Sequence, residues 1–565
     1  MRPVRTLAAA AVTVAAITVL ARVAGFGRVV VFSDAVGDNC LGDVYNTANL
    51  VPNVLFEVVA GGMLAGALVP VLAGPLAAGT AEGRERASRT ASAVLTWAVL
   101  ALVLVAVLTA VLARPVADLL LQDKGTECPG ALPLAVGMLY VFLPQVPLYG
   151  VAVVLGGALQ AQRRFTASAV APLASSLVVM AAYAVFAAAL PGGTDLASAP
   201  LSSLPGGALA VLTWGTTLGV LAMALTHAPA LRSQIRWRPA LRPAPGDGAA
   251  LRRLALAGLT ILFAQQAVAV TAVALANDRA AGSVTQWGWA WTLFLLPYAV
   301  LAVPVATAVF PRLAAASGPR APDLAALLAS TARLVTLASA AGAAGLAAAA
   351  LPIAAFFLLG DGSPGDPGDL ATALVVFAPA LLGYGLTALL VRTLYAVGRG
   401  RAAAVAATAG WLLVLGAAPL LVLALPPERV VTALALAHTL GLTLAGVLLV
   451  IAVRRACGVA ALAGLPRAVL AGAVAALLAG GAGHGVASVL PLATTSQALV
   501  AGVVAGAVAG LLWLAVVALL DRRDVAALAG RFARVLPVRG ARAPRAEGAQ
   551  PDERDGSHEQ DGSRR

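Results

Sequence analysis

Charge is scarce in this chain. Asp, Glu, Lys and Arg make up 11% of its 565 residues, 60% are hydrophobic, and the mean hydropathy is +0.91. So few charges cannot cover a soluble protein of this size, which excludes a water-soluble globular fold. Cysteine is scarcer still. Cys40, Cys128 and Cys457 form no CxxC and no metal-ligand spacing, so no metal site is expected. Nucleotide-binding loops are missing too, which argues against ATP hydrolysis, and no nucleophile–base set stands out. The sequence predicts a non-enzyme with no catalytic residue, no metal and no cofactor.

What fills the chain is about fourteen apolar stretches long enough to cross a bilayer. A span takes about 20 residues, because a helix rises about 1.5 Å per residue against roughly 30 Å of hydrocarbon. They cover residues 8–31, 44–72, 91–112, 132–159, 167–190, 208–225, 254–276, 287–310, 334–358, 370–397, 402–425, 430–453, 469–490 and 499–520. The first is too long for a signal peptide and is expected to be a retained helix. The fold class is therefore an all-α polytopic membrane protein.

Charge orients the spans. Loops on the N-terminal side hold eighteen basic residues, among them Arg84, Arg86, Arg89, Arg163, Arg164, Arg236, Arg238, Arg242, Arg399 and Arg454. The opposite loops hold four, Arg114, Lys124, Arg279 and Arg429. The positive-inside rule puts both termini in the cytoplasm. The net charge of +13 then reflects topology and contact with anionic membrane lipids, and no nucleic-acid partner is expected. Cys40 and Cys128 fall outside, where they either form a disulfide or stay as two thiols.

Two passages repeat. Gly42-Asp43-Val44 runs on to Val69-Pro70, and Gly282-Ser283-Val284 runs on to Phe310-Pro311 at nearly the same separation. Tyr149-Gly150 precedes Arg164 just as Tyr384-Gly385 precedes Arg399. Six spans per unit is an even number, which predicts a parallel repeat about an axis along the membrane normal. Residues 1–230 are then an N-lobe of spans one to six and residues 231–460 a C-lobe of spans seven to twelve. Residues 461–520 add spans thirteen and fourteen, and residues 521–565 a basic amphipathic segment and a disordered tail.

Polar residues inside spans mark candidate sites, because a charge at mid-membrane costs at least about 2.5 kcal/mol. Arg22 and Arg28 interrupt the first span, about 9 Å apart along a helix axis. A guanidinium presents a planar fork of donors that suits diphosphate oxygens. The alternative is that both snorkel to an interface or pair with Asp43 or Glu57. Asn46, Asn49 and Asn53 share one face of the second span, and Pro52 is expected to break its backbone ladder. Glu57 follows on the same stripe, either as a partner for Arg22 or as a protonatable coupling group.

The stretch from Arg22-Val23-Ala24-Gly25-Phe26-Gly27-Arg28 through Asp43, Tyr45-Asn46-Thr47-Ala48-Asn49, Pro52-Asn53, Gly61-Gly62 and Val69-Pro70 resembles the MurJ/MviN family of lipid II flippases. That family lies within the MOP exporter superfamily. Leu143-Pro144-Gln145, Tyr149-Gly150 and Gln160-Ala161-Gln162-Arg163-Arg164-Phe165 add a second signature, and the small-residue-rich style is similar to actinobacterial members. The resemblance implies a two-lobed transporter in a bacterial plasma membrane. It implies as cargo a polyprenyl-diphosphate-linked glycopeptide, lipid II, moved outward by alternating access. It also implies roles for Arg22, Arg28 and Asp43, and cell-wall synthesis or division proteins as partners. This chain departs from the family at Phe56 and Glu57, where many members carry an arginine pair. It departs again at Trp291 and Thr292, in place of an aspartate–arginine pair. Two rivals stand beside the flippase: a MATE-like antiporter for a soluble cation, and a transport-inactive cell-wall or division scaffold.

Overall fold

The computed structural model describes residues 2–58, 65–122, 127–249, 251, 259–316, 324–359 and 367–520. Among these residues the regular structure is helix, with no strand. Long Ala/Leu/Val segments leave no other choice in hydrocarbon, since every backbone N–H and C=O must find a partner within its own segment.

The chain runs α1 (Arg2–Ala35), α2 (Cys40–Val58), α3 (Ala65–Ala77), α4 (Ala81–Val111), the short α5 (Ala113–Leu121), α6 (Ala131–Phe142), α7 (Gln145–Ala161), α8 (Thr166–Ala189) and α9 (Gly206–Leu225). It continues with α10 (Leu259–Asn277) and α11 (Ser283–Pro297), joined by a π-helical turn (Tyr298–Ala302) to α12 (Val303–Ala316). Then come α13 (Leu324–Ala348), α14 (Ala350–Leu358), α15 (Pro367–Phe377), α16 (Ala380–Ala396), α17 (Gly400–Ala424), α18 (Val430–Cys457), α19 (Leu465–Val489) and α20 (Thr495–Leu520).

Among the described residues twelve helices are long and apolar enough to cross a membrane, and α15–α16, bent by 44°, makes a thirteenth if taken as one span. The second expected span is represented by α2 and α3, either side of residues 59–64, which lie outside the described set. Pro52 does not end α2, which continues through it to Val58. The ninth span begins at Leu324 rather than 334, so Arg333 lies within it, its guanidinium donating to the Ala463 carbonyl at 2.9 Å. The segment and tail expected after residue 520 lie outside the described residues.

The repeat has structural counterparts. The Arg164 N–H donates to the Leu159 carbonyl at 2.9 Å, and the Arg399 N–H to the Leu394 carbonyl at 2.7 Å. Both close a left-handed helix end, at Arg163 (φ 61°) and Gly398 (φ 73°). A Cβ on Gly150 would collide with Leu102 of the third span, and one on Gly385 with Ser339 of the ninth. One buried core, including Tyr45, Phe142 and Phe186, lies within the first six spans. Another, including Phe294, Phe377 and Leu434, lies within spans seven to twelve. Helices α19 and α20 pack against α13.

Spans six and seven are not joined by a free loop. The segment after α9 lies along α4, where the N–H groups of Arg236, Arg238 and Ala240 donate to Ser88 Oγ (3.0 Å), Ser92 Oγ (3.1 Å) and Thr96 Oγ1 (3.3 Å). Ile235 is buried beneath this strap, while Arg236 and Arg238 point out to solvent. Its far end is fixed by buried Asp247, which accepts from Thr90 Oγ1 at 2.7 Å and from Arg86.

Candidate functional site

The chain forms a disulfide between Cys40 and Cys128, which ties the start of α2 to the turn before α6. Spans one to six meet spans seven to twelve at this same end. There α2 packs on α10 and α11, α5 packs on α10, and α1 touches α14.

Asp43, fully buried in the first turn of α2, organises the joint. One carboxylate oxygen accepts from the Gly282 N–H at 2.7 Å. The other accepts from the Thr285 N–H at 3.1 Å and the Thr285 hydroxyl at 3.2 Å. The first N–H groups of a helix have no partner within it, and the helix dipole favours an anion there, so Asp43 caps α11 from another helix. Asp38 accepts from Gln286 Nε2 at 2.7 Å, and Asn46 Nδ2 donates to Thr285 Oγ1 at 3.0 Å. Asn277 Nδ2 donates both to Thr47 Oγ1 at 2.8 Å and to the Leu120 carbonyl at 2.9 Å. Gly282 is at φ 89°, and a Cβ there would strike the Asp38 carbonyl, so the two surfaces close without side chain between them.

Away from this joint the polar stripe of α2 runs on toward α7. Asn49 Oδ1 is buried with no partner. Asn53 Oδ1 accepts from the Tyr149 hydroxyl at 3.3 Å. Glu57, one turn further along α2, is exposed. Tyr149 of α7 and Tyr384 of α16 each stack obliquely on a second ring: Phe56–Tyr149 at 4.3 Å and 34°, Tyr298–Tyr384 at 4.3 Å and 36°. Tyr298 belongs to the π-helical turn, a feature often found at functional sites.

Arg22 and Arg28 are both exposed on α1, which packs along α8. The charge of Arg28 acts on Tyr45, Tyr149 and Tyr183. The seven expected residues thus separate. Asp43 and Asn46 belong to the closed joint, Asn49 and Asn53 to the stripe below it, and Arg28 and Glu57 are exposed on α1 and α2. Arg22 lies nearly two turns beyond Arg28 on α1.

Trp291 joins Trp287, Phe377 and Trp411 around the buried His438, whose Nδ1 lies 2.7 Å from the Leu434 carbonyl, and Phe294 packs on Trp291. Tyr149, Tyr384 and Gly282 were visible in sequence only as parts of the internal repeat, a signal of duplication that gave no hint of a site. Thr285 and Asn277 carried no signal at all.

A many-spanning helical membrane protein, sealed at one end and carrying arginines in its first span, is the class this architecture defines. Solved structures share the fold. Lipid II flippase MurJ in an inward closed conformation is 17% identical, with a TM-score of 0.69 over 90% of this chain and 99% of that one. An inward-facing multidrug resistance MATE family transporter of the MOP superfamily is 16% identical, with a TM-score of 0.59 over 78% and 93%. The Vibrio cholerae MATE transporter VcmN in its bent form is 13% identical, with a TM-score of 0.53 over 81% and 98%. A sequence profile described as lipid II flippase MurJ matches residues 32–516. The chain belongs to the lipid II flippase MurJ family.

Proposed function

We propose that this protein carries lipid II, a polyprenyl-diphosphate-linked glycopeptide, from the inner to the outer leaflet of a bacterial plasma membrane. It acts as a transporter and not as a catalyst. Both termini lie in the cytoplasm, so the disulfide end is outside. Residues 1–230 and 231–460 act as two lobes about a parallel pseudo-twofold axis, with the substrate path between them. Arg22 and Arg28 hold the diphosphate while the polyprenyl tail stays in lipid. Opening of the joint at Asp43, with closure at the other end, then exposes the headgroup outside.

The observation that carries this reading is the buried Asp43 of α2 capping α11 across the two sets of spans, with Arg22 and Arg28 exposed along the first span. An inside-negative potential favours outward movement of an anion by about 2.3 kcal/mol per charge per 100 mV. Return of the empty carrier then uses protonation of Glu57.

The test is replacement of the host's own lipid II flippase. Cells depleted of it receive this chain or its Arg28→Ala variant, and externally accessible lipid II is measured. Restoration by the first and not by the second supports the reading. If correctly inserted wild type restores nothing, lipid II is not its cargo.

A further inference from the structure

Asn277 pins three helices at one point: α10, which carries it, α2 through Thr47, and α5 through Leu120. Just beyond that point, away from the disulfide end, the three separate and leave a cleft of about 210 Å3. Its walls are Leu50 and Val54 one to two turns along α2, Val116 and Leu119 on α5, and Val270 two turns back along α10. The one polar residue in the lining, Thr109, donates its hydroxyl to the Val105 carbonyl of its own helix at 2.8 Å. Leu119, 65% exposed, marks the mouth on the outer surface of the bundle.

We propose that this cleft is a binding site for an acyl chain of a bilayer phospholipid, wedged across the seam between spans two and seven. The lining offers a polar ligand no free donor. Water does not settle in an apolar cavity of this kind, whereas apolar cavities of about 150 Å3 take up small hydrocarbons. The mouth opens at the level of the spans, where the surrounding solvent is hydrocarbon. The tail of the proposed cargo is the weaker candidate. Leu50, Val51, Val54 and Leu55 are centred about a third of a turn around α2 from Asn46, Asn49 and Asn53, so the cleft does not continue the polar stripe. An acyl chain here touches both sides of the seam only while the Asn277 joint is closed. Its occupancy therefore favours the outer-closed state.

The test uses the full chain in nanodiscs of phosphatidylethanolamine and phosphatidylglycerol. A fraction of the phosphatidylglycerol carries a diazirine at the end of one acyl chain. After illumination, adducts are mapped by peptide mass spectrometry. In wild type they concentrate on residues 50–55 and 116–120, above the level on the lipid-facing side of α20 at Leu511 and Leu514. Val270→Phe and Val116→Phe each lower the cleft adducts at least about fivefold, because a well-packed interior has no room for ring and chain together. The α20 adducts serve as the internal reference and do not change. Retention of the Cys40–Cys128 disulfide and a monodisperse profile report folding, and either variant alone suffices. Cleft adducts no denser than those on α20, or unmoved in the folded variants, overturn the proposal. Displacement by excess undecaprenyl phosphate also overturns it and assigns the cleft to a polyprenyl tail.

Discussion

Asp43 and Thr285, 242 positions apart in the chain, are joined twice, the same carboxylate oxygen accepting both the backbone N–H and the side-chain hydroxyl. A residue that the family resemblance places with substrate recognition is thus engaged here in capping a distant helix. Its energetic effect falls on whichever state keeps this joint shut.

Asp43→Ala leaves the first N–H groups of α11 without an acceptor, a loss of about 1–3 kcal/mol for a buried group. Since 1.4 kcal/mol is tenfold in an equilibrium, the joint should open at least severalfold more often. A cysteine at Asn46, in a Cys457→Ser background, reports this through its labelling rate with a membrane-impermeant maleimide added outside. Faster labelling in the alanine variant is expected, and an unchanged rate would show that the joint is not the gate.

Asn277→Ala removes the shared donor from Thr47 and from the Leu120 carbonyl. The buried carbonyl is then unsatisfied, and stability should fall by about 1–2 kcal/mol. A thermal melt of the purified protein reads the loss. A Tm equal to that of wild type would mean that water takes the donor's place at the seam.

The Cys40–Cys128 bond closes a loop with a sequence separation of 88. Cross-links of this kind typically contribute about 2–4 kcal/mol by restricting the unfolded chain. Reductant should lower the Tm of wild type to that of Cys40→Ser, and should leave Cys40→Ser itself unmoved. A reductant effect of equal size in both proteins would place the sensitivity elsewhere.

Glu57→Gln keeps the shape of the side chain and removes its titration. Flipping by the variant should lose the pH dependence seen in wild type while the protein still binds its cargo. A profile that keeps its shape would rule Glu57 out as the proton-responsive group.

Hydropathy and loop charge are local properties, so the spans could be read from sequence, whereas the pairing of Cys40 with Cys128 stayed open until the fold brought them together. Interruptions of the spans could not be read either. The helix breaks at Ala349 and before Gln145 come without a change in apolarity, and Arg333 disguised the start of the ninth span because its partner, the Ala463 carbonyl, is remote in sequence. The candidate site was legible only in part. Arg28, Asn53 and Glu57 stand out because polar residues are rare in spans. Capping of α11 by Asp43 leaves no periodic trace, and the pairing of Tyr298 with Tyr384 joins residues that only the folded chain brings together.

The strap along α4 has one more consequence. Ser88, Ser92 and Thr96 step along their helix by four residues, about 6 Å each. Arg236, Arg238 and Ala240 step by two residues of extended chain, about 6.6 Å. Helix and strap are two rulers with nearly the same graduation, read against each other three times. Loss or gain of a single residue between Ile235 and Ala240 would put every later mark out of step and turn arginine toward the place that Trp237 now fills. The tether between spans six and seven is therefore gauged to the residue, whereas a free loop would tolerate a change in length.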